Sequence, residues 1–187
     1  NFLQQLKQVI LSIPKKKNLT SKNPIISTPS IEHLRYQHFI SPTTICWHTP
    51  TDLKLLGSFL LGAGVRHAQQ SIDVGIELPM ETFDGAQDLF HYRYFDKRAL
   101  YLSYLAVHLA SSELVGEVNI QPMHASEDHC PIIVIYPLLS VKDRANTKYR
   151  KHWARKWQIR LIPFVQEEKH AGLPGGLLEH SLLDSFL

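Results

Sequence analysis

Gly57 and Ser58 lie between two short apolar runs, and the spacing of these runs limits the folds open to the 187-residue chain more than its other features do. The run 53–56 precedes the pair and the run 72–78 follows it. Both runs have the length of strands, and serine favours the start of a helix. The pattern therefore predicts strand, turn, helix and strand in that order. A glycine–serine turn at the start of a helix also presents backbone N–H groups that can bind phosphate.

The second run has the layout of a site for metal-dependent phosphate transfer, a chemistry that needs carboxylates at set positions. Two Mg²⁺ ions about 3.5–4 Å apart stabilise the attacking and leaving oxygens of an in-line displacement. Carboxylates must offset the charge of these ions, and alternate residues of a strand place two of them on one face. Twelve residues separate Ser58 from Ser71. Ser71 and Asp73 therefore occupy the two carboxylate positions of a nucleotidyltransferase active site.

Of the three acids that such a site needs, this spacing retains Asp73. Ser71 stands at the first position, and Arg160, in the alternating run 157–163, stands where the third acid is expected. A working site would carry a charge of about −3 before metal binding, whereas these three side chains sum to about zero. Asp73 and Arg160 are therefore expected to form an ion pair. No catalytic residue, metal site or cofactor is predicted.

A second interpretation retains the chemistry. Asp73 would be the first acid, and Glu77 would be another on the same face of the strand. Gly75 then leaves the position between them empty. The candidates for the third acid are Glu117, Glu127 and Asp128. This interpretation predicts an active Mg²⁺-dependent nucleotidyltransferase that acts on RNA ends.

Three segments resemble the first domain of the Nrap family, the nucleolar RNA-associated proteins of small-subunit ribosome assembly. They are Gly57–Gly62, Ile72–Pro79 and Tyr92–Leu102, and the last is the most specific. The runs 131–137 and 157–163 are also similar to the family's domain. The resemblance covers about residues 45–165.

The resemblance implies tandem nucleotidyltransferase-like domains, of the poly(A)-polymerase and CCA-adding kind, that lack the catalytic acids. It implies a non-catalytic scaffold in pre-rRNA processing, located in the nucleolus of the nucleus. The implied partners are the pre-rRNA or a snoRNA-containing particle and other proteins of the small-subunit processome. These proteins include casein kinase II and the dedicated RNA-processing partner of the Nrap subcomplex. The residues of the vestigial pocket are then Gly57, Ser58, Ser71, Asp73 and Arg160.

The order of the predicted elements favours an α+β fold, a nucleotidyltransferase (poly(A)-polymerase-like) mixed sheet with helices packed on one face. An N-terminal helix and extended linker are expected over 1–44, and the nucleotidyltransferase-like domain over 45–165. Residues 166–187 are expected to start a following helical segment. Because family members are several times longer, the chain is expected to be an N-terminal piece of a larger protein. No apolar run approaches the ~18 residues of a membrane-spanning helix, so no membrane partner is expected.

Residues 93–112 form the clearest predicted helix. An apolar face on this helix is expected to pack on the sheet, and it consists of Leu102, Leu105, Ala106 and Leu109. Arg93, Lys97 and Arg98 at its start are expected to face solvent, where they could contact a phosphate.

A basic segment over 142–156 holds seven Lys or Arg residues and one acid, although the net charge of the chain is only +3. Tyr149, His152 and Trp153 are interleaved with these cations. Cations bind phosphates and aromatic rings can stack on single-stranded bases, so this segment predicts contact with RNA. A solvated charged hairpin is the alternative. The residues predicted to bind RNA are Lys148, Arg150, Lys151, Arg155 and Lys156.

Overall fold

In a computed structural model, the chain is described over residues 2–20, 43–57, 70–83, 88, 93–123, 130–137 and 157–165. The elements described in full are α1 (Phe2–Ser12), β1 (Lys16–Thr20), β2 (Thr44–Trp47), β3 (Asp52–Leu56), β4 (Gln70–Glu77), a 3-10 helix (Met80–Thr82), α2 (Arg93–Ala110), β5 (Val115–Pro122), β6 (Pro131–Pro137) and β7 (Trp157–Phe164). The strands predicted at 53–56, 72–78 and 157–163 are confirmed. The helix predicted over 93–112 is confirmed as α2, which ends two residues earlier. Within these residues, no helix is long and apolar enough to cross a membrane.

Five strands form a mixed sheet in the order β3-β4-β7-β6-β5. β4 and β7 are parallel neighbours, whereas the other three pairings are antiparallel. A parallel pair needs a long connection, and the chain between β4 and β7 includes α2, β5 and β6. β1 and β2 form a separate antiparallel pair. These pairings confirm the predicted α+β class with a mixed sheet.

The main hydrophobic core lies on one face of this sheet, which we call the helix face. The strand residues of this face alternate along their strands and include Val74, Ile76, Ile133, Ile135, Ile159 and Leu161. Leu105 and Leu109 of α2 belong to the same cluster, as do Leu6 and Ile10 of α1. The predicted packing of helices on one face is thus confirmed for α1 and α2.

α2 is buried on most of its sides, because β2 packs on it in addition to the sheet. The ring of Trp47 stacks on Tyr101 with ring centroids 5.2 Å apart. The Trp47 Nε1 donates to the Tyr101 carbonyl oxygen (3.3 Å), and the Tyr101 hydroxyl donates to the carbonyl oxygen of His48 (2.7 Å). The expectation that Lys97 and Arg98 face solvent is therefore wrong, since both are buried.

α1 and β1 contribute to the same core as the sheet. Leu6 of α1 and Leu19 of β1 are buried in the main cluster, and β1 pairs with β2 through Leu19 and Ile45. The predicted domain boundary at residue 45 stays a prediction. Residues 2–20 nonetheless pack into the core, because the apolar side chains of α1 lie at helical spacing and Leu19 of β1 is buried.

Candidate functional site

Asp73 and Arg160 lie side by side because β4 and β7 are parallel neighbours in register. The pairing of the two strands places Asp73 directly opposite Arg160. Val74 and Leu161, the next residue of each strand, point into the main core. Successive residues of a strand point to opposite faces, so Asp73 and Arg160 lie on the other face of the sheet. We call this the site face.

The two side chains form a bidentate ion pair. The Arg160 Nε donates to Asp73 Oδ1 at 2.6 Å, and the Arg160 Nη2 donates to Asp73 Oδ2 at 2.7 Å. The Asp73 side chain is 9% exposed and that of Arg160 29% exposed. The ion pair predicted from the sequence is thus confirmed. Both oxygens of the carboxylate accept charge-assisted hydrogen bonds, so a metal ion would have to compete with a paired cation for them.

Apolar side chains lie next to the pair on the site face. Val134 of β6 is opposite Arg160 and fully buried. Ile132 and Ile162 form a small cluster with it, against which Met123 and Tyr136 pack. Burial in such surroundings strengthens a well-formed ion pair and raises the cost of leaving either charge alone.

Gly57 lies beside this pair, directly after β3. It follows Leu56, the last residue of β3, which pairs with Asp73 on the neighbouring strand β4. Its φ of 69° lies in the left-handed region, which glycine adopts without steric cost. Ser71 lies two residues before Asp73 on the same face and is half-buried. Ser58 lies outside the described residues, and the vestigial pocket as a whole stays a prediction.

Gly75 shows why no acid stands between Asp73 and Glu77. A Cβ atom at this position would lie 2.9 Å from Cε1 of Phe164 and 3.0 Å from Cδ1 of Leu56. The aromatic ring therefore fills the space between the two acids on the site face. Only a residue without a side chain fits here.

The acids of the second interpretation are spread over the sheet. Four residues along a strand span about 13 Å, so Asp73 and Glu77 are far apart for ions that must lie about 3.5–4 Å from each other. Glu117 lies on β5, three strands away from β4, and accepts a hydrogen bond from Asn119 Nδ2 at 2.9 Å. Within the described residues, no three His, Cys, Asp or Glu side chains form a group that could hold a metal. Glu127 and Asp128 lie outside these residues.

The described residues leave one predicted site untested and reveal another that sequence reasoning missed. The five cations predicted to bind RNA lie outside the described residues, although Trp157, directly after their segment, is 42% exposed. On α2, the Lys97 Nζ lies 3.0 Å from Asp88 Oδ2, with side chains that are 7% and 0% exposed. Next to them, Arg98 is fully buried. The sequence did contain a signal for the burial of Arg98, because this residue stands four positions before Leu102 and so lies on the apolar face of the helix.

The chain is similar over most of its length to a described protein domain. Nrap protein domain 1 matches residues 10–171. Nucleolar protein 6 of Xenopus tropicalis is 28% identical over 138 residues, which make up 73% of this chain and 12% of that protein. U3 small nucleolar RNA-associated protein 22 of Saccharomyces cerevisiae is 32% identical over 123 residues, 58% of this chain and 9% of that protein. Nucleolar protein 6 of Homo sapiens is 42% identical over 69 residues, 37% of this chain and 6% of that protein. The chain therefore matches at most 12% of the length of these relatives.

Proposed function

Because the chain belongs to the Nrap family through domain 1, we propose that it is a non-catalytic scaffold domain of a factor in small-subunit ribosome assembly and pre-rRNA processing. Two of the relatives are named for the nucleolus, and a third is named for its association with U3 small nucleolar RNA. These names support a location in the nucleolus of the nucleus. They also support a role beside the RNA that the ribosome-assembly machinery processes.

The bidentate pair of Asp73 and Arg160 is the observation that supports a scaffold rather than an enzyme. The guanidinium takes up both oxygens of the acid that the glycine–serine spacing retains. Its charge offsets the negative charge that would otherwise attract Mg²⁺. A nucleotidyltransferase-like sheet with this pair keeps the shape of the site and loses its attraction for metal.

The proposed partners are inferred from the family resemblance. They are the pre-rRNA or a snoRNA-containing particle and other processome proteins, including the dedicated RNA-processing partner of the Nrap subcomplex and casein kinase II. The exposed ring of Trp157, next to the basic segment, supports direct contact with RNA.

Incorporation of nucleoside monophosphates into a short RNA in the presence of Mg²⁺ tests the proposal. We expect the chain to give no more product than buffer, and Asp73→Asn to leave this result unchanged. Transfer that depends on Mg²⁺ and disappears in Asp73→Asn would sink the scaffold proposal and establish the active alternative.

A matched variant makes the negative result informative. Ser71→Asp combined with Arg160→Asp places three carboxylates around the position of Asp73, two on β4 and one directly opposite on β7. We expect this variant to bind Mg²⁺ in titration calorimetry, whereas the natural sequence does not. Equal Mg²⁺ binding by both would contradict the role given to Arg160.

A further inference from the structure

Arg98 is the most deeply buried cation in the described part of the chain. It lies on α2, and 0% of its surface is exposed. In the structure as described, Nε, Nη1 and Nη2 of its guanidinium all lack a hydrogen-bond partner. The neighbouring Lys97 is also buried, but its Nζ has an oxygen of Asp88 at 3.0 Å. The two cations therefore differ, because one has a counterion and the other is left with its full charge and its donors unused.

Tyr94 lies one turn before Arg98, on the same side of the helix. It is 1% exposed, and its hydroxyl likewise lacks a hydrogen-bond partner in the described structure. Burial raises the pKa of Tyr94, and the positive charge of Arg98 acts in the opposite direction. The raised pKa keeps the hydroxyl protonated, so it can donate a hydrogen bond.

An unpaired guanidinium in an apolar interior is among the most costly arrangements in a folded protein. A buried lysine or carboxyl group can lower this cost by becoming neutral. Arginine cannot, because its side chain stays protonated in proteins. No residue that the structure describes accepts a hydrogen bond from Arg98, so its charge calls for an anion from outside the described part of the chain.

We propose that Arg98 and Tyr94 form a buried receptor for one oxyanion of the phosphate class. The planar guanidinium can donate to two oxygens of a phosphate at once, and the tyrosine hydroxyl can donate to a third. A carboxylate has fewer acceptor oxygens and would leave some of these donors unused. The number of free donors therefore favours phosphate.

This receptor is distinct from the site that contains Asp73. α2 packs on the helix face of the sheet, whereas the pair of Asp73 and Arg160 lies on the site face. Because Arg98 is fully enclosed, the anion enters during folding or when the start of α2 opens locally. The receptor does not depend on the scaffold function proposed above, and the two can fail separately.

Thermal unfolding of the chain in rising inorganic phosphate, with chloride keeping the ionic strength constant, tests the receptor. A ligand that binds only the folded state stabilises it increasingly as its concentration exceeds Kd. We expect the Tm of the natural sequence to rise with phosphate, and the Tm of Arg98→Met to rise less. In chloride alone the order is expected to reverse, because Arg98→Met replaces an unpaired charge with an apolar side chain.

Two further variants separate binding from general effects. Tyr94→Phe keeps the ring and removes the hydroxyl, so we expect about tenfold weaker phosphate binding. This variant also provides the readout if Arg98→Met does not fold. Arg93→Met changes an exposed arginine of the same helix and should retain the full response. The general stabilisation of proteins by phosphate affects every variant alike.

A parallel series with a short single-stranded RNA, at an equal concentration of phosphate groups, identifies the source of the anion. A shift that depends on Arg98 with inorganic phosphate alone assigns a free ion. If the rise in Tm depends on Arg98 with RNA as well as with inorganic phosphate, the anion is a phosphate of the RNA chain. Equal responses of the natural sequence, Arg98→Met and Tyr94→Phe to both probes would overturn the receptor.

Discussion

Among single residues, Asp73 and Arg160 show how an acid can remain at a former metal position without binding metal. Both charges are held by the register of β4 and β7 and by two short hydrogen bonds. The pair then contributes to the stability of the fold, since the attraction between the two charges offsets the cost of removing each from water. Its contribution should therefore appear in measurements of stability.

Removal of one partner is expected to cost more than removal of both. Arg160→Met leaves the carboxylate of Asp73 buried and unpaired, which should lower the free energy of unfolding by about 3 kcal/mol. This is the lower end of the usual range, because the Arg160 side chain is 29% exposed. Asp73→Asn combined with Arg160→Met should recover more than half of the loss. A double-mutant cycle in urea measures the coupling, and strictly additive effects would contradict it.

Gly75 is a second position where a single atom matters. Gly75→Ala would place its Cβ 2.9 Å from the ring of Phe164, so we expect a loss of about 1–3 kcal/mol through overpacking. This loss should exceed the entropic gain of about 0.4–1 kcal/mol that alanine brings through the unfolded state. Urea unfolding measures the difference. Gly116→Ala, at an exposed position of β5, serves as the control, and Phe164→Leu should relieve the strain of Gly75→Ala.

His108 makes stability depend on pH. Burial lowers the pKa of His108 below 6.5, and its ring packs edge-on to Tyr104 at 4.6 Å between centroids. Below pH 6.5 the unfolded chain binds this proton more readily than the folded chain. The stability that the neutral ring contributes is therefore present above pH 6.5 and lost as the pH falls through the folded value. His108→Gln should lose less Tm than the natural sequence between pH 7.5 and 5.5, and an equal loss would rule out His108 as a source.

Among the elements, α2 organises the fold because it is covered from two sides. Its apolar face packs on the sheet, and Tyr101 and Tyr104 pack against Trp47 of β2. β2 in turn holds β1. The contact between β2 and α2 therefore links the small antiparallel pair to the rest of the molecule.

Weakening this contact should loosen β1 and β2 before the sheet. Tyr101→Phe removes the hydrogen bond of 2.7 Å to the carbonyl oxygen of His48 and should cost about 1 kcal/mol. Amide hydrogen exchange should speed up more in β1 and β2 than in β7. Tyr136→Phe is the matched control, since its hydroxyl lies 3.4 Å from Gln158 Oε1 in a more exposed position and should matter less. Uniform acceleration in all strands would show that β2 does not open separately.

In the molecule as a whole, positive charge is concentrated in the segment 142–156 rather than spread evenly. Replacement of five of its cations by alanine should therefore weaken RNA binding and make its salt dependence shallower, by about 0.7 in the log–log slope for each lost phosphate contact. The five positions are Lys148, Arg150, Lys151, Arg155 and Lys156. Alanine at Lys15, Lys16 and Lys17 tests whether any other cluster of cations has the same effect. Unchanged binding by the five-fold variant would show that this segment is not the RNA site.

Much of the candidate site was readable from local patterns. The apolar run 72–78 and the alternation in 157–163 correctly placed Asp73 and Arg160 on strands, and a cation where the third acid is expected predicted their pairing. The run at Tyr92–Leu102 identified the family, which the match of Nrap protein domain 1 confirms. The strands could be found because their pattern is local, whereas the pairing of Asp73 with Arg160 was predicted from the layout of a nucleotidyltransferase site, in which the third acid comes from a neighbouring strand.

The burial of α2 and the reason for Gly75 emerged from contacts between distant parts of the chain. Periodicity identifies the side of a helix that faces a sheet, but it does not reveal that Trp47 of β2 packs on Tyr101 and Tyr104 as well. In the sequence, Gly75 is only a position without a side chain between two acids. In the structure, the ring of Phe164, 89 residues later in the chain, fills the space above it. Such contacts depend on how the strands are ordered in the sheet, and a pattern confined to one element carries no information about that order.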